Sequence, residues 1–181
     1  MRFTTLLSAL LSLLCISSCK KSAIAANEDV KALYERFHGK YKIVNVSSSE
    51  AVDLNGDGMA STNLLSEIDL ENSLLEIRIG SEYVFIQTWP EVYLSPGVPD
   101  SVIHYANQGV SRYFAFDNAI QQLNVKPENP TVDEVRFPMP ESVLIKQGDN
   151  IEVTINKRLY TSLGWKIIKV VTLYKRYTMI M

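Results

Sequence analysis

Cysteine is absent from everything beyond residue 19: the chain holds two, Cys15 and Cys19, both near its start. No disulfide can brace the body, which must be held by packing alone. A surplus of positive charge is also missing. Eighteen Lys and Arg stand against 20 Asp and Glu, a net charge of −2, with no long basic run. Nucleic acid is thereby excluded as a partner, because phosphate binding needs a basic footprint. Histidine is scarce, with only His38 and His104. Neither His nor Cys lies near the chain's acidic glycine loop, which leaves zinc without ligands there. The apolar run at residues 3–14 is shorter than the roughly 20 residues a spanning helix needs. No phosphate-binding loop or dinucleotide glycine fingerprint occurs.

What is present begins at the N-terminus. Arg2, the apolar run, and then Leu14-Cys15-Ile16-Ser17-Ser18-Cys19 have the basic start and small-residue exit of a cleaved secretory signal. Ile16-Ser17-Ser18-Cys19 resembles a bacterial lipobox. The resemblance implies cleavage before Cys19, lipid on its thiol, and a mature chain that begins at the lipid. Cys15 fits less well, because bulky Leu14 precedes it. An ordinary signal cut after Ala23, Ala25 or Ala26 is the alternative. The expected organisation is a leader at 1–18, a lipidated tether at 19–26 and one domain at 27–181. About 155 residues suffice for one hydrophobic core. Three acyl chains would make the anchor effectively permanent, since stable attachment takes more than one.

Asn27-Glu28-Asp29 reads as an N-cap with acids in the first turn. Val30, Leu33, Tyr34 and Phe37 follow at i, i+3, i+4 and i+7, one apolar face of a helix. Gly39 stands where a left-handed cap would end it, and His38 where a cation suits the helix dipole. The period then changes to two. Strands are expected at 41–46, 75–79, 82–89, 102–106, 111–116, 119–125, 142–147, 151–157 and 165–177. Turns fall at Gly80-Ser81, Asp117-Asn118 and Gly148-Asp149-Asn150. Pro90, Pro96 and Pro99 break up one long loop, and Pro127, Pro130, Pro138 and Pro140 another, because proline is excluded from central strands. Eight or nine short strands, one helix before them and no βαβ alternation predict a mainly β fold, an antiparallel barrel or sandwich.

Gly39-Lys40-Tyr41, between helix and first strand, is similar to the G-x-W opening of lipocalins, with Tyr where Trp is usual and no T-D-Y-like second motif. Lys175 or Arg176 could supply the basic residue that covers that aromatic. Lipobox, G-x-Y start and Asp53-Leu54-Asn55-Gly56-Asp57-Gly58 together resemble the lipocalin-like lipoproteins of the Bacteroidetes group. The resemblance implies an antiparallel lipocalin-like β-barrel of about eight strands with an N-terminal helix, on an outer-membrane lipoprotein. Lys20-Lys21 offers no acidic run of the type that marks surface export in that group, so a periplasm-facing position is favoured over the cell surface.

Asp53-Leu54-Asn55-Gly56-Asp57-Gly58-Met59 is the stretch with site chemistry. Side-chain oxygens at Asp53, Asn55 and Asp57 and the carbonyl of Met59 can converge on one calcium ion. Leu64 stands where an EF-hand has its bidentate Glu. Glu67, one turn on, could fold back as the missing carboxylate, with the Ser61 hydroxyl or the Asn63 amide as a further oxygen. A weak structural calcium site is expected; plain turn dipeptides are the alternative. No catalytic constellation is visible. His104 alternates with apolar residues, Ser101 and Ser111 lie near it without an orienting acid, and Asp117 and Asp133-Glu134 are merely carboxylates. The chain is therefore expected not to be an enzyme. Tyr83, Trp89 and Tyr93 could line one mouth of the barrel for a small apolar or carbohydrate ligand. Partners are then the membrane, through Cys19, and a small-molecule ligand or envelope protein. A filled barrel acting as a structural accessory of the envelope is the second reading.

Overall fold

The computed structural model describes residues 30–94, 103–127 and 133–179. Cys19, the leader, the tether and the Asn27 cap lie outside them, as do Pro96, Pro99, Ser101 and Pro130. A short helix, α1 (Val30–Phe37), precedes nine strands: β1 (Gly39–Val52), β2 (Ser61–Asn63), β3 (Leu74–Ile79), β4 (Tyr83–Leu94), β5 (Ile103–Asp117), β6 (Gln122–Val125), β7 (Pro140–Ile145), β8 (Ile151–Thr161) and β9 (Gly164–Thr178).

Strands β1 and β3 to β9 are antiparallel neighbours in chain order, and β1 pairs back onto β9, with Lys40 opposite Thr178 and Ser48 opposite Val170. Eight strands thus form a closed barrel, the fold class expected. Closure removes the unpaired edges that an open sheet would expose. Alternation is cleanest on β8, where Ile151, Val153, Ile155, Lys157, Leu159 and Thr161 are all buried and face the lumen.

The strands are unequal. β4 and β5 pair from Val84↔Tyr113 to Leu94↔Ile103, but β3 reaches only Leu75↔Gln87. Beyond Gln87, β4 has only β5 as a described strand neighbour. Pro90 sits there, inside a strand rather than in a loop, because a proline on an unpaired edge forfeits no ladder bond. Likewise β7 stops at Pro140↔Ile155 while β8 and β9 continue to Thr161↔Gly164. The barrel is a ring of eight strands near α1, with long hairpins rising from it toward the other end.

Two apolar clusters fill it. Near α1, Leu33 and Phe37 plug the ring against Tyr41, Ile77, Phe85, Phe114, Val153 and Tyr174. Nearer the far end, Leu54, Leu64, Ile68 and Leu70 from the β1–β3 connection close over Val46, Trp89, Leu159 and Val170. Tyr41 is fully buried, and its hydroxyl donates to the Phe37 carbonyl at 2.6 Å. Arg176, not Lys175, lies opposite Tyr41 on β9, and its guanidinium donates to the Glu35 carbonyl at 2.9 Å.

Several expectations are corrected. Gly39 is no left-handed cap: its φ of +151° opens β1, and a Cβ there would stand 2.5 Å from the Thr178 carbonyl oxygen. His38 does not serve as a dipole cation; its Nδ1 accepts the Ile79 N–H at 2.9 Å, satisfying the last residue of β3. Val30 is exposed, so Leu33 and Phe37, with the partly buried Tyr34 beside them, anchor the helix. The two strands expected at 102–106 and 111–116 are one strand, β5, carried through Gly109. The strand expected at 119–125 begins only at Gln122, because residues 118–121 form the turn. Ser61 to Asn63, within the connection after the first strand, form a short strand of their own, β2, on β1.

Candidate functional site

Alternation on β4 sends Phe85, Gln87, Trp89 and Glu91 into the lumen. Two of them reach across it. Lys157 Nζ on β8 meets Glu91 Oε1 at 2.5 Å, with the residues 4% and 7% exposed. Gln87 Nε2 donates to the Tyr174 hydroxyl on β9 at 3.1 Å. Lys157 also stands 5.2 Å from the centre of the Trp89 ring. Arg112, buried on β5, donates through Nη2 to the Phe137 carbonyl at 2.5 Å. The indole N–H of Trp89 is buried and has no hydrogen-bond partner among the described residues. A polar band therefore crosses the barrel between and within its apolar clusters.

Burial pushes the Lys157 ammonium below its usual range; Glu91 opposes that shift and Arg112 adds to it. The Tyr174 hydroxyl is pushed up to about 12 by burial, against a smaller opposing effect of the Gln87 hydrogen bond. Burial raises Tyr41 as well, with Arg176 opposing. A tyrosine whose folded pKa exceeds its unfolded value of 10 binds more protons when folded. Its stabilisation is complete below pH 10 and is lost as pH climbs through 12. For Tyr174 two pH units correspond to about 3 kcal/mol. Lys157 has the opposite sign, its burden easing as pH nears 10.5. Stability is expected to fall steeply above pH 10, with the buried tyrosines forming tyrosinate only on unfolding. Absorbance titration checks this, and free ionisation of Tyr174 in the folded chain near pH 10 would contradict it.

The acidic loop spends its oxygens on its own amides. Asp53 accepts the Gly56 and Gly58 N–H groups at 2.7 and 3.1 Å. Asn55 Oδ1 accepts Asp57 N–H at 2.9 Å, and Asp57 Oδ1 accepts Met59 N–H at 2.7 Å. Glu67 folds back to the loop, but to the Leu54 N–H at 3.1 Å, and is buried there. Ser61 Oγ accepts Asn63 N–H, and Asn63 Oδ1 accepts Leu65 N–H. Among the described residues no three His, Cys, Asp or Glu side chains converge as a metal would require.

No family model, curated protein or solved structure matches the chain.

The three aromatics expected at one mouth do not meet. Tyr83 packs on Phe114 at 5.5 Å near α1, Trp89 is buried, and Tyr93 is half-exposed at the far end. All lie on one face of β4, but ten residues of strand separate Tyr83 from Tyr93 by about 33 Å. His104 and Ser111 are both exposed. They lie on opposite faces of β5, about 23 Å apart along it. Asp117 and Asp133 accept amides of their own turns. Outside the sequence reading were Gln87, Glu91, Arg112 and Lys157. Lys157 had a visible signal, being in phase with Ile151, Val153 and Ile155. Glu91 was hidden by Pro90, which ended the expected strand at residue 89, two residues short of it.

Proposed function

We propose that this chain is a lipid-anchored lipoprotein of the bacterial envelope, held through Cys19, whose lipocalin-like barrel is a filled scaffold presenting its surface to a partner in the envelope. The lipobox-like Ile16-Ser17-Ser18-Cys19 supports the anchor, and the outer membrane with a periplasm-facing barrel is the favoured site. Tyr41 beneath α1 with Arg176 opposite supports the lipocalin likeness. The observation that carries the scaffold reading is the Lys157–Glu91 pair spanning the lumen: a bound ligand would have to displace a buried ion pair, whose rupture costs about 3–5 kcal/mol.

Mass spectrometry of the chain purified from a bacterial membrane fraction tests both parts. Expected are an acylated N-terminus at Cys19 and no small molecule retained under native conditions. An unacylated N-terminus removes the anchor, and a stoichiometric ligand released on denaturation removes the scaffold reading. One observation favours that second outcome, a small apolar or carbohydrate ligand: the Trp89 N–H beside Lys157, without a partner among the described residues, is a donor that a ligand oxygen would satisfy.

Calcium at the acidic loop is a separate proposal. A carboxylate oxygen that accepts one amide keeps a second lone pair, so Asp53 and Asp57 retain capacity for a cation. Thermal melting with millimolar calcium, then with chelator, is expected to show a reversible rise. An unchanged melting temperature ends the proposal.

A further inference from the structure

The chain exposes an unusual set of side chains at the end of the barrel opposite α1. β8 and β9 meet there in the two-residue turn Ser162-Leu163, closed by the Thr161↔Gly164 pair. Thr161 Oγ1 fixes the turn by donating to the Gly164 carbonyl at 2.9 Å and accepting the Leu163 N–H at 3.1 Å. Leu163 is 86% exposed and Ile167 73%. Trp165, also exposed, meets Tyr160 edge-on at 5.1 Å, and the Arg158 guanidinium lies 3.9 Å from its ring centre. The turn is braced from the side, since Ser162 N–H donates to the Asp53 carbonyl at 3.1 Å. Met59, 71% exposed, belongs to that same bracing loop.

We propose that this hairpin tip docks on a lipid bilayer, with Leu163, Trp165 and Ile167 entering the interface and Arg158 at the phosphates. Three arguments select a bilayer as the occupant. Tyr160, Trp165, Leu163, Ile167 and Arg158 make the outward side of the hairpin tip, and its other cation, Lys166, is paired with the exposed Glu50 of β1 at 3.5 Å; aromatics and aliphatics beside a cation are the composition that membrane interfaces favour. The tip is also convex. A stable protein interface buries about 1,200–2,000 Å², more than a two-residue turn with its flanks presents, whereas partial insertion needs only a few apolar side chains. Finally, reach permits it. The eleven or so residues from Cys19 to Val30 span up to about 38 Å. Strands of 15 residues, tilted as eight-stranded barrels require, stand roughly 35–40 Å tall. A chain anchored at Cys19 can therefore bring its far end to the membrane that holds it. That third argument rests on the lipid-anchor reading; the first two do not.

The test uses the chain from residue 19 with Cys19→Ser, so that no acyl chain contributes. Vesicles of phosphatidylethanolamine and phosphatidylglycerol are floated with it. Expected are co-flotation, and a shift of Trp165 emission to shorter wavelength that Trp165→Phe removes. The pair Leu163→Asp and Ile167→Asp is expected to weaken partitioning at least tenfold while leaving the circular dichroism spectrum and melting temperature unchanged, both positions being exposed. No flotation, or equal flotation of the double variant, overturns the proposal. So does a lipid-free dimer dissolved by the same substitutions, which would make the tip a self-association surface. Acylation at Cys19 is read separately by mass, so failure of the anchor and failure of the tip remain distinguishable.

Discussion

Lys157→Met is expected to destabilise the barrel by about 3–5 kcal/mol, the cost of leaving a buried carboxylate unpaired. Glu91 is only 7% exposed, and its partner reaches it from the opposite wall of the lumen. The substitution also removes the ammonium from above the Trp89 ring, 5.2 Å away, a contact worth about 0.5–2 kcal/mol. Adding Glu91→Leu should restore most of the loss or exceed it, because an apolar pair escapes the desolvation cost of two ions. Urea unfolding of the single and double variants checks this. A single variant within about 1 kcal/mol of the parent would mean that water or another cation reaches Glu91. Recovery in the double variant separates loss of a charge partner from loss of packing volume.

Gly39→Ala should be nearly as severe. Its Cβ would lie 2.5 Å from the Thr178 carbonyl oxygen and 3.0 Å from Arg176 Cδ, at a φ of +151°. A strained backbone costs about 1–3 kcal/mol, and overpacking adds about 1–3 more. The obstacle is main chain, which cannot swing aside without parting β1 from β9 where the barrel closes. Gly56→Ala is the control. Its φ is also positive, at +76°, yet nothing lies within 4 Å of its Cβ, so only the backbone term of about 1 kcal/mol applies. If denaturation ranks the two variants equally, the close approach at the seam is not what selects glycine at 39.

The fold was legible because its signals are local and repeated. Leu75, Ile77 and Ile79 announce a strand without reference to anything distant, as do Ile151, Val153 and Ile155, and the lack of helices between strands left antiparallel pairing as the outcome. The site was less so, since its parts meet across the lumen. Glu91 and Lys157 are 66 residues apart, and no spacing rule links them. Pro90 misled for a reason of context: whether proline is tolerated depends on the neighbouring strand's length, which β4 does not encode. Tyr83 and Trp89 share a face, as alternation implies, and Tyr93, beyond the expected end of that strand, falls on the same face of β4, but a shared face says nothing of nearness along about 33 Å of strand. Glu67 illustrates the middle case. Helical spacing correctly returned it to the loop, while its partner there, the Leu54 amide, could not be read from sequence.

Unequal strand lengths divide the molecule in a further way. Amides in the ring near α1 are hydrogen-bonded within a closed circle, so exposing one means breaking the whole circle. In the outer parts of the β4–β5 and β8–β9 hairpins each strand pairs, among the described strands, only with its own hairpin partner. Hydrogen exchange should therefore be two-tiered, with the ring exchanging only through global unfolding and the hairpin arms through cheaper local opening. Trp89 and the Lys157–Glu91 pair sit where the arms leave the ring, making that polar band the hinge at which the two tiers part.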